Sequence, residues 1–383
     1  MIFMDPNEIL EGIQKQSEAS PDSFTQDDLE EGKIFTQSIR KIIRREFRKA
    51  GLVVLGVLLA VFCFGQWGLS PLVSTFYYDP GKIIPNESFP QDMQSTHGTN
   101  TMSLDISVYT ELLCPLNWRD TVIVNDRGYG CYDITIAISP WFPLSYNYDH
   151  QPTTVTGRIE RGKLRLYNPL SPVILGNHFY YEEIEGEFNP SGDTWVDNAQ
   201  YGFSSLLNRI PPHDVRKYVV SLKNPISIAE ADKLAEKYKW GQVFYAVTVA
   251  DPKEWDLVRR QGFIGYQHSF NGIYQDVRLH DREKYPLLLR TLGMYHSVEE
   301  KTTHFISMLK YMADRKEFVA MMKEAEEDFQ TFYDSGPDFQ AAYDYVQEHG
   351  VNIHGIVIWA DKDTITRIND DPAVKYVSEL LRH

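Results

Sequence analysis

Cysteine is scarce in this 383-residue chain: only Cys63, Cys114 and Cys131 occur, and no two of them form a CxxC pair. Thioredoxin-like redox chemistry and cysteine-based zinc sites both need such paired thiolates, so neither is expected. The P-loop, GxSxG, HExxH, GxGxxG and Asp-rich calcium-loop patterns are missing as well. Eleven histidines are scattered, and neighbouring acids such as Glu182 and Glu183 have no partner constellation for acid/base work. The sequence therefore predicts no enzyme, no metal site and no cofactor. Cations are also outnumbered, 38 Lys and Arg against 53 Asp and Glu, and a net charge of −15 argues against direct binding to a phosphate backbone.

One stretch lacks charge altogether. No charged residue occurs over 50–78, and 51–65 (GLVVLGVLLAVFCFG) is almost wholly apolar. Continued through QWGLSPLV to Val73, the stretch reaches the roughly 20 residues that a helix needs to cross a hydrocarbon core. It shows no polar face at a 3.6-residue period, as a water-soluble helix would, and Trp67 stands where an interfacial aromatic belongs. A single transmembrane helix over 50–73 is expected. Just before it lie Arg40, Lys41, Arg44, Arg45, Arg48 and Lys49 against a single Glu46, whereas Lys82 is the sole Lys or Arg between the segment and Arg119. These six cations orient the span with the N-terminus cytoplasmic and the rest extracytoplasmic across a plasma membrane. Some forty residues precede the basic run and no small-x-small cleavage pattern follows, which predicts an uncleaved signal anchor.

The segment 1–38 carries nine acids against Lys15 and Lys33. With the basic juxtamembrane run it forms an acidic tail, 1–49, too short to fold alone. Ile9, Leu10 and Ile13 share one side of a short helical turn. After SPDSF, Thr25 and Asp28 make a weak capping box for a helix starting near Gln26 and carrying Leu29, Phe35, Ile39, Ile42, Ile43 and Phe47 into the membrane. Gly32 counts against that helix. Such a tail is either a solvated leader or a segment that folds on a basic protein partner. On the second reading the contact residues are Ile9, Leu10, Ile13, Asp27, Asp28, Leu29, Glu30, Glu31 and Phe35.

Beyond the span, 74–91 is rich in Pro and Gly and reads as a linker. The region 92–212 alternates apolar and polar residues at 104–108 (LDISV), 121–124, 132–138, 155–159, 164–167 and 179–188, which predicts a β-rich region. The aromatic run 141–148 (WFPLSYNY) is read as packing or, less readily, as a binding surface. Cys114 and Cys131 either pair across a β-hairpin in an oxidising compartment or stay as two thiols. From 213 to 383 the pattern turns to α/β. A strand at 218–222, a helix at 227–238 and a strand at 243–249 form a β-α-β unit expected to place its two strands parallel. Ser297 and Glu300 open a helical stretch to about Tyr333; 338–349 is helical; Gly350 ends it left-handed. A strand at 353–359, a short helix capped by Asp361 and a strand at 373–377 close the chain. The fold class expected is α+β: one transmembrane helix, the β-rich region, then a ferredoxin-like α/β sandwich with a helical insertion.

The run DYVQEHGVNIHGIVIWADKDTITRINDDPAVKYV at 344–377 resembles the C-terminal signature of the sigma factor regulator family. KYVVSLKNPISIAEADKLAEKY at 217–238 is similar to the strand-helix element of the same domain. GKIFTQSIRKIIRREFRKAGLVVLGVLLA at 32–60 is similar to the family's membrane-proximal N-terminal domain, and LDISVYTELLCPLNW at 104–118 loosely matches the start of its outer region. The resemblance implies a membrane-bound anti-sigma factor of Gram-positive bacteria whose tail sequesters an extracytoplasmic-function sigma factor while its outer domain senses the envelope through a ligand or partner not yet identified. The alternative is a membrane-anchored envelope binding or scaffold protein without a transcriptional role. The tail has no zinc-binding His/Cys pattern, so the binding mode of zinc-containing anti-sigma domains does not carry over.

Overall fold

The computed structural model describes residues 26–85, 91–93, 98–140, 153–167, 207, 210–211, 214–240, 243–251, 264–267, 281, 283–288, 297–327 and 337–379. It divides into two units, Met1–Leu69 and Ser70–His383. Ile9, Leu10, Ile13, the aromatic run 141–148 and the strand expected at 179–188 lie outside the described residues.

In the first unit a single helix, α1, runs from Gln26 to Phe64. At 1.5 Å per residue its 39 residues span about 58 Å, nearly twice a hydrocarbon core. The start expected near Gln26 is therefore borne out, and α1 continues through Gly32. Its part Phe35–Phe64 is long and apolar enough to cross a membrane. The α-helix expected to reach Val73 instead widens into a π turn at Gly65–Leu69. Pro71 accounts for this, because it lacks an N–H and its ring crowds the carbonyl four residues back.

The second unit opens with a short helix, α2, Ser70–Ser74, followed by β1, Ile83–Ile84, which pairs with β2, Thr99–Asn100. Next comes α3, Thr101–Leu113, capped by Asn100, whose side chain accepts from the Ser103 N–H. This corrects the strand expected at 104–108. Every residue of α3 is buried, so neither face carries the polar residues that reveal a helical period, and LDISV passes for a strand. A four-stranded antiparallel meander follows: β3, Asn117–Gly128; β4, Cys131–Pro140; β5, Thr153–Glu160; and β6, Lys163–Leu166. Cross-strand neighbours Val122, Ile136 and Val155, and Tyr132, Ile159 and Leu164, fall on one buried face. Gly157 sits in that face because a Cβ there would lie 2.7 Å from the Arg165 carbonyl oxygen.

The meander also settles the cysteines, which are free. Cys131 lies at the hairpin turn opposite Gly128, whereas Cys114 precedes Asn117 at the open end. About eleven strand residues, roughly 36 Å, separate those ends, far beyond the reach of a disulfide.

The five remaining strands are β7, Arg216–Ser227; β8, Val243–Val247; β9, Gly265–Gln267; β10, Asn352–Ala360; and β11, Val374–Glu379. Their order is β11-β7-β10-β8-β9, antiparallel throughout. β7 and β8 thus run parallel, as expected of a β-α-β unit, but β10 lies between them. Helix α4, Ile228–Tyr238, joins them and opens on a capping box: Ser227 accepts from the Glu230 N–H while Glu230 accepts from the Ser227 N–H.

Between β9 and β10 come α5, Val298–Asp314, with the Ser297/Glu300 box, then α6, Lys316–Glu327, and α7, Phe339–His349. The single helix expected here is broken at Arg315, whose ψ of 46° leaves the helical range. Gly350 has the positive φ expected, 74°, but with ψ at 179° it is not the left-handed helical cap. Helix α8, Lys362–Asn369, capped by Asp361, leads into β11. One core runs through both sheets and α3, with α5 packed on α3 and α7, and α6 against β6.

Candidate functional site

Asp105 is the most unusual side chain in the second unit. It sits on α3 with 0% exposure, and an ion can be held there only if its oxygens are fully hydrogen-bonded. They are. Tyr78 Oη donates to Oδ2 at 2.7 Å and Tyr311 Oη to Oδ1 at 2.6 Å. The Arg315 guanidinium forks onto both, Nε to Oδ1 at 2.9 Å and Nη2 to Oδ2 at 2.7 Å. The break between α5 and α6 has its role here, since Arg315 occupies it.

The electrostatics follow from burial. Tyr78 and Tyr311 are held well above the usual phenol range, first by burial and then by the Asp105 charge, so both remain donors. Burial opposes the charge of Arg315, but the Asp105 hydrogen bonds and charge outweigh it and raise its pKa further. The guanidinium also lies 5.8 Å from the ring centres of Tyr78 and Tyr311, and Tyr78 packs 6.0 Å from Phe318 on α6.

Through Tyr78 this cluster grips the segment that begins the second unit. Ser70 Oγ accepts from the Tyr129 N–H at 2.8 Å, and Ser74 Oγ from the Gly130 N–H at 3.1 Å. Ser70 and Ser74, four apart on α2, share one side of that helix. Downstream, the Met102 N–H donates to the Pro80 carbonyl and the Thr101 N–H to that of Lys82. Within the segment 74–91 read as a linker, the structure thus holds Ser74, Tyr78, Pro80 and Lys82 against the second unit.

A second buried pair lies farther along α3. His304 Nδ1 donates to the Leu287 carbonyl at 2.7 Å, which leaves Nε2 to share a proton with Glu111 at 3.0 Å. Lys301 and Asp232 pair at 2.5 Å, joining α5 to α4. Sequence reading missed all of these residues. Their partners are remote in the chain, up to 210 residues for Asp105 and Arg315, and no local pattern signals them.

Of the contact residues expected in the tail, Asp27, Asp28, Leu29, Glu30, Glu31 and Phe35 all fall on α1. Phe35 is 68% exposed, as are Ile39, Ile42, Ile43 and Phe47 in part. A 100° step per residue gathers Phe35, Ile39, Ile42 and Ile43 on one face and sets Arg40, Lys41, Arg44 and Arg48 on the other. Among the described residues no group of three His, Cys, Asp or Glu could hold a metal ion.

Residues 207–378 match the family model described as sigma factor regulator C-terminal. No curated protein and no solved structure matches the chain.

Proposed function

We propose, with the sigma factor regulator C-terminal domain over residues 207–378 as premise, that this chain is a membrane-bound anti-sigma factor. Its cytoplasmic tail sequesters an extracytoplasmic-function sigma factor, its span holds that factor at the membrane, and its outer unit senses the state of the envelope. The role is non-enzymatic. The observation that carries this reading is α1 itself: one uninterrupted helix joins the acidic residues Asp27 to Glu31, the exposed face Phe35, Ile39, Ile42 and Ile43, and the apolar stretch. Apolar residues left exposed at i, i+4 and i+7 are what a partner groove covers, and flanking acids steer a basic partner towards them.

The orientation, tail inside, rests on the six cations from Arg40 to Lys49. The C-terminal domain is read as a ferredoxin-like sandwich, a reading supported by the order β11-β7-β10-β8 with β9 and α5 to α7 as the insertion. The test is co-purification after crosslinking from the native membrane. Full-length chain should retain one sigma factor, and Phe35→Ser with Ile39→Ser and Ile42→Ser should lose it while the chain stays in the membrane. Deleting the gene should induce one compact regulon. Recovery of no sigma factor from any crosslinked preparation would remove the proposal.

A further inference from the structure

The docked side of α2 leaves its other side bare. Leu72 on α2 is 56% exposed, and Phe76 and Tyr77, in the turn that follows it, are 75% and 38% exposed. Exposed apolar residues of this size on a short element of a folded unit call for a partner surface.

Two hairpin turns flank Tyr77: its Cδ2 would meet a Cβ on Gly130 at 3.3 Å and its Cδ1 one on Gly162 at 3.8 Å. Gly128 and Gly130, with φ of 83° and 72°, make the β3–β4 turn, and Gly162, at 80°, the β5–β6 turn. The turns are tied together where the Arg161 N–H donates to the Gly130 carbonyl at 2.8 Å. They carry cations. Arg127 is engaged by Asp133 at 2.6 Å, but Arg161 and Lys163 are exposed and pair with no carboxylate among the described residues. In a chain of net charge −15, an apolar ridge bordered by cations with no carboxylate partner among the described residues stands out.

The chain itself indicates the occupant. Ser70, where α2 begins, follows the apolar helix Phe35–Phe64 after only the π turn Gly65–Leu69. Leu72, Phe76 and Tyr77 are thus within a few residues of the place where the chain leaves the bilayer. Aromatic and aliphatic side chains partition into the headgroup boundary there, and Lys or Arg beside them meet lipid phosphates.

We infer that α2, the turn that follows it and the tips of the β3–β4 and β5–β6 hairpins form a membrane-contact surface, with Leu72 and Phe76 at the acyl boundary, Tyr77 at headgroup depth, and Arg161 and Lys163 on the phosphates of anionic lipids. This rests on the reading of the uncharged stretch that begins at Ala50 as a membrane span. Because the same turns hold Ser70 and Ser74, the bilayer surface bears directly on the docked exit segment.

The test uses full-length chain in nanodiscs, with a fluorophore on Asn125→Cys near the first turn in a Cys63→Ser, Cys131→Ser background. Spin-labelled lipid headgroups should quench the dye more in phosphatidylglycerol than in phosphatidylcholine discs. The variant Arg161→Glu with Lys163→Glu should cut the ratio of bound to free turns by at least about fivefold, the factor corresponding to about 1 kcal/mol for a single cation at a charged surface. Leu72→Ser with Phe76→Ser should lower quenching in both lipids. Quenching by aqueous iodide alone, or quenching indifferent to both lipid charge and the Glu variant, would overturn the surface. Alkaline extraction run in parallel separates the two readings: a chain that stays with the membrane but shows no headgroup contact loses only the surface, whereas a chain released to the soluble fraction loses the span.

Discussion

Asp105 has no water to turn to if its donors are removed. Truncating one partner of a buried ion pair leaves an uncompensated charge, at a cost of about 3–5 kcal/mol. Arg315→Ala is expected at the lower end, since the Arg315 side chain is itself 30% exposed. Tyr78→Phe removes one hydrogen bond to a charge and should cost about 1.5–3 kcal/mol. Denaturant unfolding of the solubilised chain measures both, and a loss below about 1 kcal/mol for Arg315→Ala would show that the cluster tolerates opening. His354 on β10 provides the pH counterpart. Burial lowers its imidazole to about 4 from the ordinary 6.5. The unfolded chain therefore takes up a proton below about pH 6.5 that the folded chain refuses until about pH 4, so stability falls as pH drops through that window, by at most about 3 kcal/mol. His354→Gln should flatten the slope between pH 6.5 and 4; an unchanged slope would assign it to other groups. None of these residues was legible in the sequence. Asp105 lay hidden in an alternation that imitates a strand, and Tyr311 and Arg315 meet it only through the fold.

At the scale of elements, short-range chemistry was the most legible. Ser297 with Glu300 announces its helix because a capping box is complete within four residues, and the structure adds the same box at Ser227 and Glu230. Ser227→Ala and Ser297→Ala should each cost about 1 kcal/mol, read as a shift in denaturant midpoint at constant slope. The start of α1 was found the same way. Illegible were the elements whose form is set by distant neighbours. Helix α3 is enclosed on all sides, so its identity depends on β3, α5 and the docked segment that enclose it. Ile106→Ala and Leu112→Ala, at 1% and 0% exposure, should each cost about 2–5 kcal/mol. If 104–108 behaved as a surface strand, Ile106→Ala would cost far less. The break at Arg315 carries no Gly or Pro, and nothing local distinguishes it from helix interior.

For the molecule as a whole, the order β11-β7-β10-β8 ties chain segments more than a hundred residues apart into one sheet, and the Asp105 cluster ties that α/β region to the segment around Tyr78 that opens the second unit. If the proposed regulator works through this route, the exit segment must stay docked for an outer signal to be felt by the tail. Inserting about six Gly and Ser residues between Leu69 and Ser70 puts a flexible coil between the apolar helix and the anchors Ser70, Ser74 and Tyr78, each of which can still form. The outer unit keeps its core, because Tyr78 still reaches Asp105, and the tail keeps its binding face. Sigma factor should then be retained in normal amount, yet a reporter of its regulon should no longer respond to envelope stress. A reporter that responds as in the unmodified chain would mean that the signal travels without the docked segment, since a coil of that length transmits neither torque nor displacement.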